Sequence, residues 1–350
     1  MPRSPRRRLT AIAGKKPMRE FSSLTPRDVA EELKRPCDTL ITCHVKPDGD
    51  CLGSAFALKA ILEALGSRAW VVCAEECPNR LAFLLDGEQK SILPLSVPQD
   101  LAASRIIAVD TASPMQAGAL MDLYGDRYTL MIDHHGRGTP FTDHWVLPEA
   151  SATGEMIFTL SRLLVSDGAL RTVPQKAEAC MYAAISSDTG CFRFSNATPE
   201  THRTAAELLL SGIDAAEINR RLFSSVSYLQ MQAEHEGFSR LQLFENGRIA
   251  AITFPYEIKQ RLGLRDEHTE TLIDVARMIE GVDIAFVLKQ ADEAPLFRLS
   301  MRSAIDFDVS EVCATFGGGG HVRAAGATIE GAADIDSALE RVLSALRERL

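Results

Sequence analysis

The segment His44-Val45-Lys46-Pro47-Asp48-Gly49-Asp50 puts an imidazole and two carboxylates within seven residues. Pro47 and Gly49 keep such a loop tight and non-helical, so Asp48 and Asp50 can both turn into one concavity. Carboxylates held that close repel unless a cation joins them, and mixed imidazole and carboxylate donors suit manganese, magnesium, cobalt or iron. The competing reading is that Asp48 caps a following helix while His44 and Asp50 are ordinary surface groups. Three further places shift the balance: Asp110 after one apolar run, Asp133-His134-His135 after another, and Asp188 in a Ser-Ser-Asp-Thr-Gly turn. Together His44, Asp48, Asp50, Asp110, His134 and Asp188 suffice for two divalent ions with positions left open for water and substrate.

A second chemistry-bearing stretch is Phe316-Gly317-Gly318-Gly319-Gly320-His321-Val322-Arg323-Ala324-Ala325-Gly326. Glycines allow close backbone approach and free N–H groups to cradle a phosphate, with His321 as an added donor. Taken alone, the run also reads as a flexible helix-to-strand connection. Arg302, with a guanidinium that pairs with phosphate or stacks on a base, is the strongest cation to accompany it, ahead of Arg298 and Arg323.

These groups need elements to hold them. The apolar runs Thr39 to Cys43, Ala69 to Cys73, Arg105 to Val109 and Tyr128 to Ile132 read as buried strands. Amphipathic segments such as Leu52 to Leu65 separate them, which implies βαβ units and a parallel sheet. In a doubly wound sheet the ligand site lies beyond the carboxyl ends of the strands, where His44, Asp110 and Asp133 stand. Helices are expected over Ser151 to Leu164 and Pro174 to Ser187, and later strands over Arg248 to Phe254, Asp283 to Gln290 and Leu296 to Arg302. The expectation is an α/β chain of two domains with a cleft between them. An N-terminal doubly wound, mainly parallel sheet occupies 21–198, a helical linker 199–236, and a smaller α/β domain with a mixed sheet 237–350.

With 46% apolar and 24% charged residues, the 350-residue chain is globular, and no apolar run approaches the roughly 20 residues that cross a bilayer. Arg3, Arg6, Arg7, Arg8, Lys15, Lys16 and Arg19 give residues 1–20 a net charge of about +6; the formal total of −9 then leaves about −15 on the body. That balance argues against a broad basic surface for long nucleic acid. Residues 1–20 read as a disordered tail, since the apolar stretch after the paired arginines is too short for an export signal. Eight cysteines without a C-x-x-C pair fit a reducing, cytoplasmic setting, and a zinc site from Cys73 and Cys77 lacks a second ligand pair.

The ordered set H-x-x-x-D-x-D, V-D, D-H-H and S-D-T-G resembles the DHH phosphoesterases, which include RecJ-like nucleases, nanoRNases and some pyrophosphatases. Gly-Gly-Gly-His followed by Ala-Ala-Gly resembles the loop of the DHH-associated C-terminal domain, and Arg302-Ser303 matches a pair upstream of it in nanoRNase-like members. The resemblance covers nearly all of residues 30 to 350 and implies one ion on His44, Asp48 and Asp110 and another on Asp50, Asp110, His134 and Asp188. Asp110 then bridges the ions. By the same resemblance His135 faces the substrate phosphate, Asp133 orients a neighbouring imidazole, and Arg302, Ser303, Gly318, Gly319, Gly320 and His321 hold the substrate. Two departures, Val322 where proline is common and Cys51 at a variable position, are not expected to touch a predicted ligand.

The implied activity is a two-metal, manganese-favouring phosphodiesterase. A metal-activated hydroxide would cut RNA or DNA oligonucleotides of 2–5 nucleotides to 5′-mononucleotides and also convert 3′-phosphoadenosine 5′-phosphate (pAp) to AMP. The rival substrates are cyclic di-AMP, linear pApA, polyphosphate and pyrophosphate, and a rival of another class is a nucleotide-binding regulator with a dead site. No membrane partner is implied, and a homodimer is compatible with the sequence.

Overall fold

The computed structural model describes residues 21–349, so the basic segment 1–20 lies outside the described residues, as does Leu350. The chain forms two compact units that meet in sequence at Ser224 and Ser225.

Unit 1 is built on β1 (Thr39–Thr42), β2 (Ala69–Val72), β3 (Arg105–Val109), β4 (Leu130–Asp133) and β5 (His144–Val146), in the order β2-β1-β3-β4-β5 and parallel throughout. Every residue of β1, β3 and β4 is buried, as expected of strands covered on both faces. Strand order reverses on either side of β1, so the carboxyl ends of β1 and β3 form the switch point of a doubly wound sheet. The predicted parallel sheet is therefore present. β5, three residues long, carries too little pattern to be read from sequence.

Helices Gly49–Ala64, Thr153–Ser166 and Gln175–Asp188 bury their contacting faces in the unit 1 core. Their close approach depends on missing side chains. A Cβ at Gly53 would lie 2.6 Å from the Cys180 carbonyl oxygen and 2.9 Å from Ala184 Cβ. That contact draws the start of the first helix, with Asp50, toward the end of the third, with Asp188.

The segment 199–236, read as a connecting stretch, divides between the units. Helices Pro199–Leu210 and Ala215–Phe223 bury Ala205, Leu208, Ile218 and Leu222 in the core of unit 1, whereas Tyr228–Ser239 buries Ala233 in unit 2.

Unit 2 holds β6 (Leu241–Phe244), β7 (Ile249–Phe254), β8 (Ile284–Gln290), β9 (Phe297–Ser303), β10 (Gly319–His321) and β11 (Ala324–Ile329), in the order β10-β11-β9-β8-β7-β6. Only β7 and β8 pair parallel, so the sheet is mixed. Phe286, Leu288, Leu299 and Met301 cluster with residues of helices Val309–Ala314 and Ile335–Arg347, while Ala285 and Val287 cluster with those of Tyr228–Ser239 and Leu272–Arg277. β10 and β11 escape the sequence reading because their glycine and alanine residues have low strand propensity.

Gly53→Val is expected to destabilise unit 1 by about 1–3 kcal/mol through overpacking against a backbone carbonyl that cannot yield. Gly87→Val, at an exposed glycine with nothing within 4 Å of the added Cβ, should stay within about 0.5 kcal/mol. Urea unfolding midpoints measure both; equal midpoints would refute the close-contact account.

Candidate metal centre

The carboxyl ends of β1, β3 and β4 deliver His44, Asp110 and the Asp133-His134-His135 triplet to one edge of the sheet. Asp110 adopts φ 52°, a left-handed conformation that costs a non-glycine residue about 1–3 kcal/mol and persists where surrounding bonds enforce it. Its N–H donates to the Ile132 carbonyl at 2.9 Å, and its side chain is 2% exposed.

The ring nitrogens of the three imidazoles are sorted by their neighbours. His44 Nδ1 bonds the Val45 carbonyl at 2.7 Å, leaving Nε2 at 3.4 Å from Asp110 Oδ2 and 3.7 Å from Asp48 Oδ1. His134 Nδ1 bonds the Ala150 carbonyl at 3.2 Å, leaving Nε2 at 3.6 Å from Asp50 Oδ2, 3.6 Å from Asp110 Oδ1 and 3.7 Å from Asp188 Oδ2. A histidine whose Nδ1–H donates to a carbonyl has its Nε2 lone pair directed at a ligand site. His135 Nδ1 lies 2.7 Å from Asp133 Oδ1, so Asp133 orients that imidazole in particular.

The two oxygens of Asp110 face different histidines, Oδ2 toward His44 and Oδ1 toward His134. Asp50, 1% exposed, accepts from Ser54 Oγ at 2.9 Å and Gly154 N at 3.0 Å on one oxygen and from Thr153 N at 2.7 Å on the other. The N-terminus of Thr153–Ser166 thus aims its free N–H groups at a carboxylate, as the helix dipole favours. Thr153 Oγ1 also donates to Asp110 Oδ1 at 3.0 Å. Asn196 Nδ2 donates to the Ser151 and Asp188 carbonyls at 3.1 and 3.2 Å, tying two loops of the site together. Neither Thr153 nor Asn196 was legible beforehand. Both serve through contacts more than 40 residues apart in sequence, although the small residues before helix Thr153–Ser166 were a signal available for the first.

Asp48 satisfies both of its readings: Oδ1 caps the helix by accepting from Cys51 N at 3.0 Å and also faces His44.

Burial pushes the Asp188 carboxyl up to about 7, with Asp110 and Asp48 adding to the rise against the opposing pull of His134. Burial and the adjacent Asp110 likewise raise Asp50. Burial alone would raise Asp110, but its bond to His44 and the charges of the three histidines hold it below the usual range. Burial alone would lower His134, but Asp50, Asp110 and Asp188 bring it up to about 9. Crowded, buried carboxylates are costly without positive charge among them. The donor atoms of Asp110, His134 and His135, and those of Asp50, His134 and Asp188, lie within 4.8 Å of one another, and their nitrogen and oxygen chemistry fits divalent manganese, iron, cobalt or magnesium.

One sequence expectation is corrected. Cys51 was not expected to touch a predicted ligand, yet its Sγ, a His44 nitrogen and an Asp110 oxygen lie within 4.8 Å of one another. The helix that begins at Gly49 turns this buried residue back toward the end of β3, where Sγ contacts the Val109 carbonyl at 3.7 Å. Cys73 and Cys77 join no such group among the described residues.

The remaining candidates lie on the unit 2 sheet. Arg302 pairs with Ala324, and Ala324 pairs with His321, so Arg302 and His321 share one face across β9, β11 and β10, roughly 10 Å apart at the backbone. Ser300, Gly326 and Gly319 form the next row on that face. Ser303 does not join it: as the neighbour of Arg302 it points to the other side, and its hydroxyl donates to the Ile305 carbonyl at 2.9 Å. The glycine run also divides. A Cβ at Gly318 or Gly320 would strike β11, whereas Gly319 has nothing within 4 Å. Gly318 and Gly320 therefore permit strand pairing, and Gly319 presents open backbone.

Residues 38–185 match the DHH family, N-terminal domain, and residues 253–348 match the DHHA1 domain. The chain is 34% identical over 329 residues to the bifunctional oligoribonuclease and PAP phosphatase NrnA of Thermus thermophilus, covering 93% of this chain and 94% of that one. The chain belongs to the DHH family. The protein of the same name from Bacillus subtilis is 26% identical over 295 residues, 83% of this chain and 90% of that one. An exopolyphosphatase-related protein from Bacteroides fragilis shares the fold with a TM-score of 0.83 at 23% identity, over 92% of this chain and 95% of that one. The DHH match contains every predicted metal ligand except Asp188, three residues past its end, and the DHHA1 match contains Arg302 and His321.

Because the folded Asp188 carboxyl titrates near 7, against about 3.9 when unfolded, its ionised form costs stability above that value and nothing at acid pH. Asp188→Asn should therefore stabilise the EDTA-treated protein at pH 8 and leave it unchanged at pH 4. In the parent, each manganese ion at 100 times its Kd should add about 2.7 kcal/mol, and the variant should lose the part contributed by the ion beside Asp50 and His134. Denaturant unfolding with and without manganese tests both; a variant less stable than the parent at pH 8 would contradict the crowding account.

Proposed function

We propose that this DHH family member is a metal-dependent phosphodiesterase that cuts oligonucleotides of two to five residues to 5′-mononucleotides and also converts pAp to AMP. The observation that carries this is the double-facing Asp110 carboxylate, which puts His44 and Asp48 on one side and Asp50, His134 and Asp188 on the other. On this reading His44, Asp48 and Asp110 hold one divalent ion, and Asp50, Asp110, His134 and Asp188 hold a second, with manganese preferred. Such ions lower the pKa of water toward neutrality, neutralise phosphoryl oxygens and stabilise a leaving alkoxide.

The protein's own groups complete the site. Burial would lower the basicity of His135, but its bond to Asp133 raises it, so the ring is suited to donate a proton or a hydrogen bond to a phosphoryl oxygen. Asp133, 1% exposed, fixes the ring. Thr153 holds Asp50 and Asp110 in place. The DHH domain thus supplies the chemistry, while Arg302, Gly319 and His321 of the DHHA1 domain bind a second phosphate of the substrate. Ser303, Gly318 and Gly320 support that surface. A polyphosphate offers nothing for an arginine to stack upon, so the surface favours nucleotides. Among the described residues no helix is long and apolar enough to cross a membrane.

EDTA should abolish hydrolysis and manganese restore it, and Asp110→Ala should reduce kcat/KM by far more than tenfold. A smaller loss, below about 1.4 kcal/mol of barrier, would sink the bridging assignment.

Substrate holding is tested separately by Arg302→Ala and His321→Ala. Each should lower dinucleotide kcat/KM by at least tenfold, since a charge-assisted hydrogen bond contributes about 1.5–3 kcal/mol. Turnover of bis-p-nitrophenyl phosphate, which has no second phosphate, should change less than threefold. An unchanged ratio between the two substrates would remove the nucleotide-holding role. A panel of pAp, 2- to 5-mers, a 24-mer, pApA, cyclic di-AMP and pyrophosphate identifies the substrate, and preference for a cyclic dinucleotide or pyrophosphate would overturn the assignment.

A further inference from the structure

Cys51 brings sulfur to a centre otherwise made of nitrogen and oxygen. Its side chain is 0% exposed, in the first turn of the helix that carries Asp50. Cys51 Sγ, a His44 nitrogen and an Asp110 oxygen lie within 4.8 Å of one another. Donors of one tetrahedral ion, with metal–sulfur bonds of about 2.3 Å and metal–nitrogen bonds of about 2.0–2.1 Å, stand roughly 3.5 Å apart, so at most a small side-chain adjustment brings the sulfur into reach. The sulfur's contact to the Val109 carbonyl is long, at 3.7 Å, and its side chain also bonds His44, the ligand it would join on the ion.

His44 faces two donors of opposite character. Asp48 is hard and half-exposed, lies 3.7 Å from Nε2, and already accepts the Cys51 N–H. Cys51 is soft and buried. With His44 Nδ1 bonded to the Val45 carbonyl, Nε2 is the nitrogen left for an ion, and Asp48 and Cys51 are alternative donors to that ion. Ion softness then decides which one coordinates.

We propose that Cys51 is a conditional metal ligand beside His44 and Asp110, recruited by thiophilic divalent cations such as Zn2+, Cd2+ or Co2+ and left free by Mn2+. On recruitment the S–H bond is replaced by a sulfur–metal bond and the proton passes to solvent; no electron transfer is involved. The centre thereby binds thiophilic cations more tightly than its nitrogen and oxygen donors alone would allow. This inference rests on the metal-centre reading above.

The test uses the full chain, stripped with EDTA and titrated with Co2+ alone. Cobalt in the centre gives visible d–d bands, and a sulfur donor adds a near-ultraviolet charge-transfer band. The parent should retain cobalt and show both. Cys51→Ser and Cys51→Ala should retain cobalt and the d–d bands but lose the charge-transfer band. Cys73→Ser should keep both, because Cys73 Sγ is turned to the His44 carbonyl, 3.3 Å away. Circular dichroism confirms folding of each variant. In indicator competition, Zn2+ affinity should fall at least tenfold in Cys51→Ala while Mn2+ affinity changes less than threefold. Cobalt retained without the charge-transfer band, or a band that survives Cys51→Ala, overturns the role of Cys51 and leaves the metal centre standing. Failure of the parent to retain cobalt overturns both.

Discussion

Burial of several carboxylates around one imidazole is the constraint on which the rest of this structure depends. Asp50 and Asp110 are almost wholly removed from water, and both, with Asp188, lie within 3.7 Å of His134 Nε2. Each buried ion costs several kcal/mol when its charge is uncompensated. The fold compensates only in part, through the N–H groups of Thr153 and Gly154, the Ser54 and Thr153 hydroxyls and the imidazoles. What remains is a site with excess negative charge and nitrogen and oxygen lone pairs converging on it. A divalent cation supplies the missing term.

The surrounding architecture follows from the need to bring distant residues together at fixed separation. A doubly wound sheet brings three strand ends side by side, and the reversal of strand order at β1 opens space beyond them. Helix packing through Gly53 then draws Asp50 toward Asp188 from across the core. Backbone strain at Asp110 is retained where it turns one carboxylate toward two imidazoles, which is where strain serves a function.

Much of this was legible in the sequence because the signals are local. His44, Asp110 and Asp133 each follow an apolar run, and the periodicity of those runs gives strand, direction and edge together. Thr153, Asn196 and Cys51 act through tertiary contacts that no local pattern encodes. Cys51 was misjudged because its position looked variable, whereas the helix turn sets the direction of its sulfur. In the DHHA1 domain, Arg302 and His321 could be named from motif alone, but their placement on one face required the register of β9, β11 and β10. The same register separates Gly319, which is open, from Gly318 and Gly320, which are packed, and turns Ser303 away.

On the proposed reading, Asp110 joins two cations in one centre. Electron paramagnetic resonance during titration of the metal-free protein with Mn2+ measures this directly, by stoichiometry and by magnetic coupling. Two ions per chain are expected and, at saturation, the broadened, weakened spectrum of two spins coupled through a shared carboxylate. A single ion per chain, or two ions that keep the sharp six-line signal of isolated Mn2+, would contradict that reading.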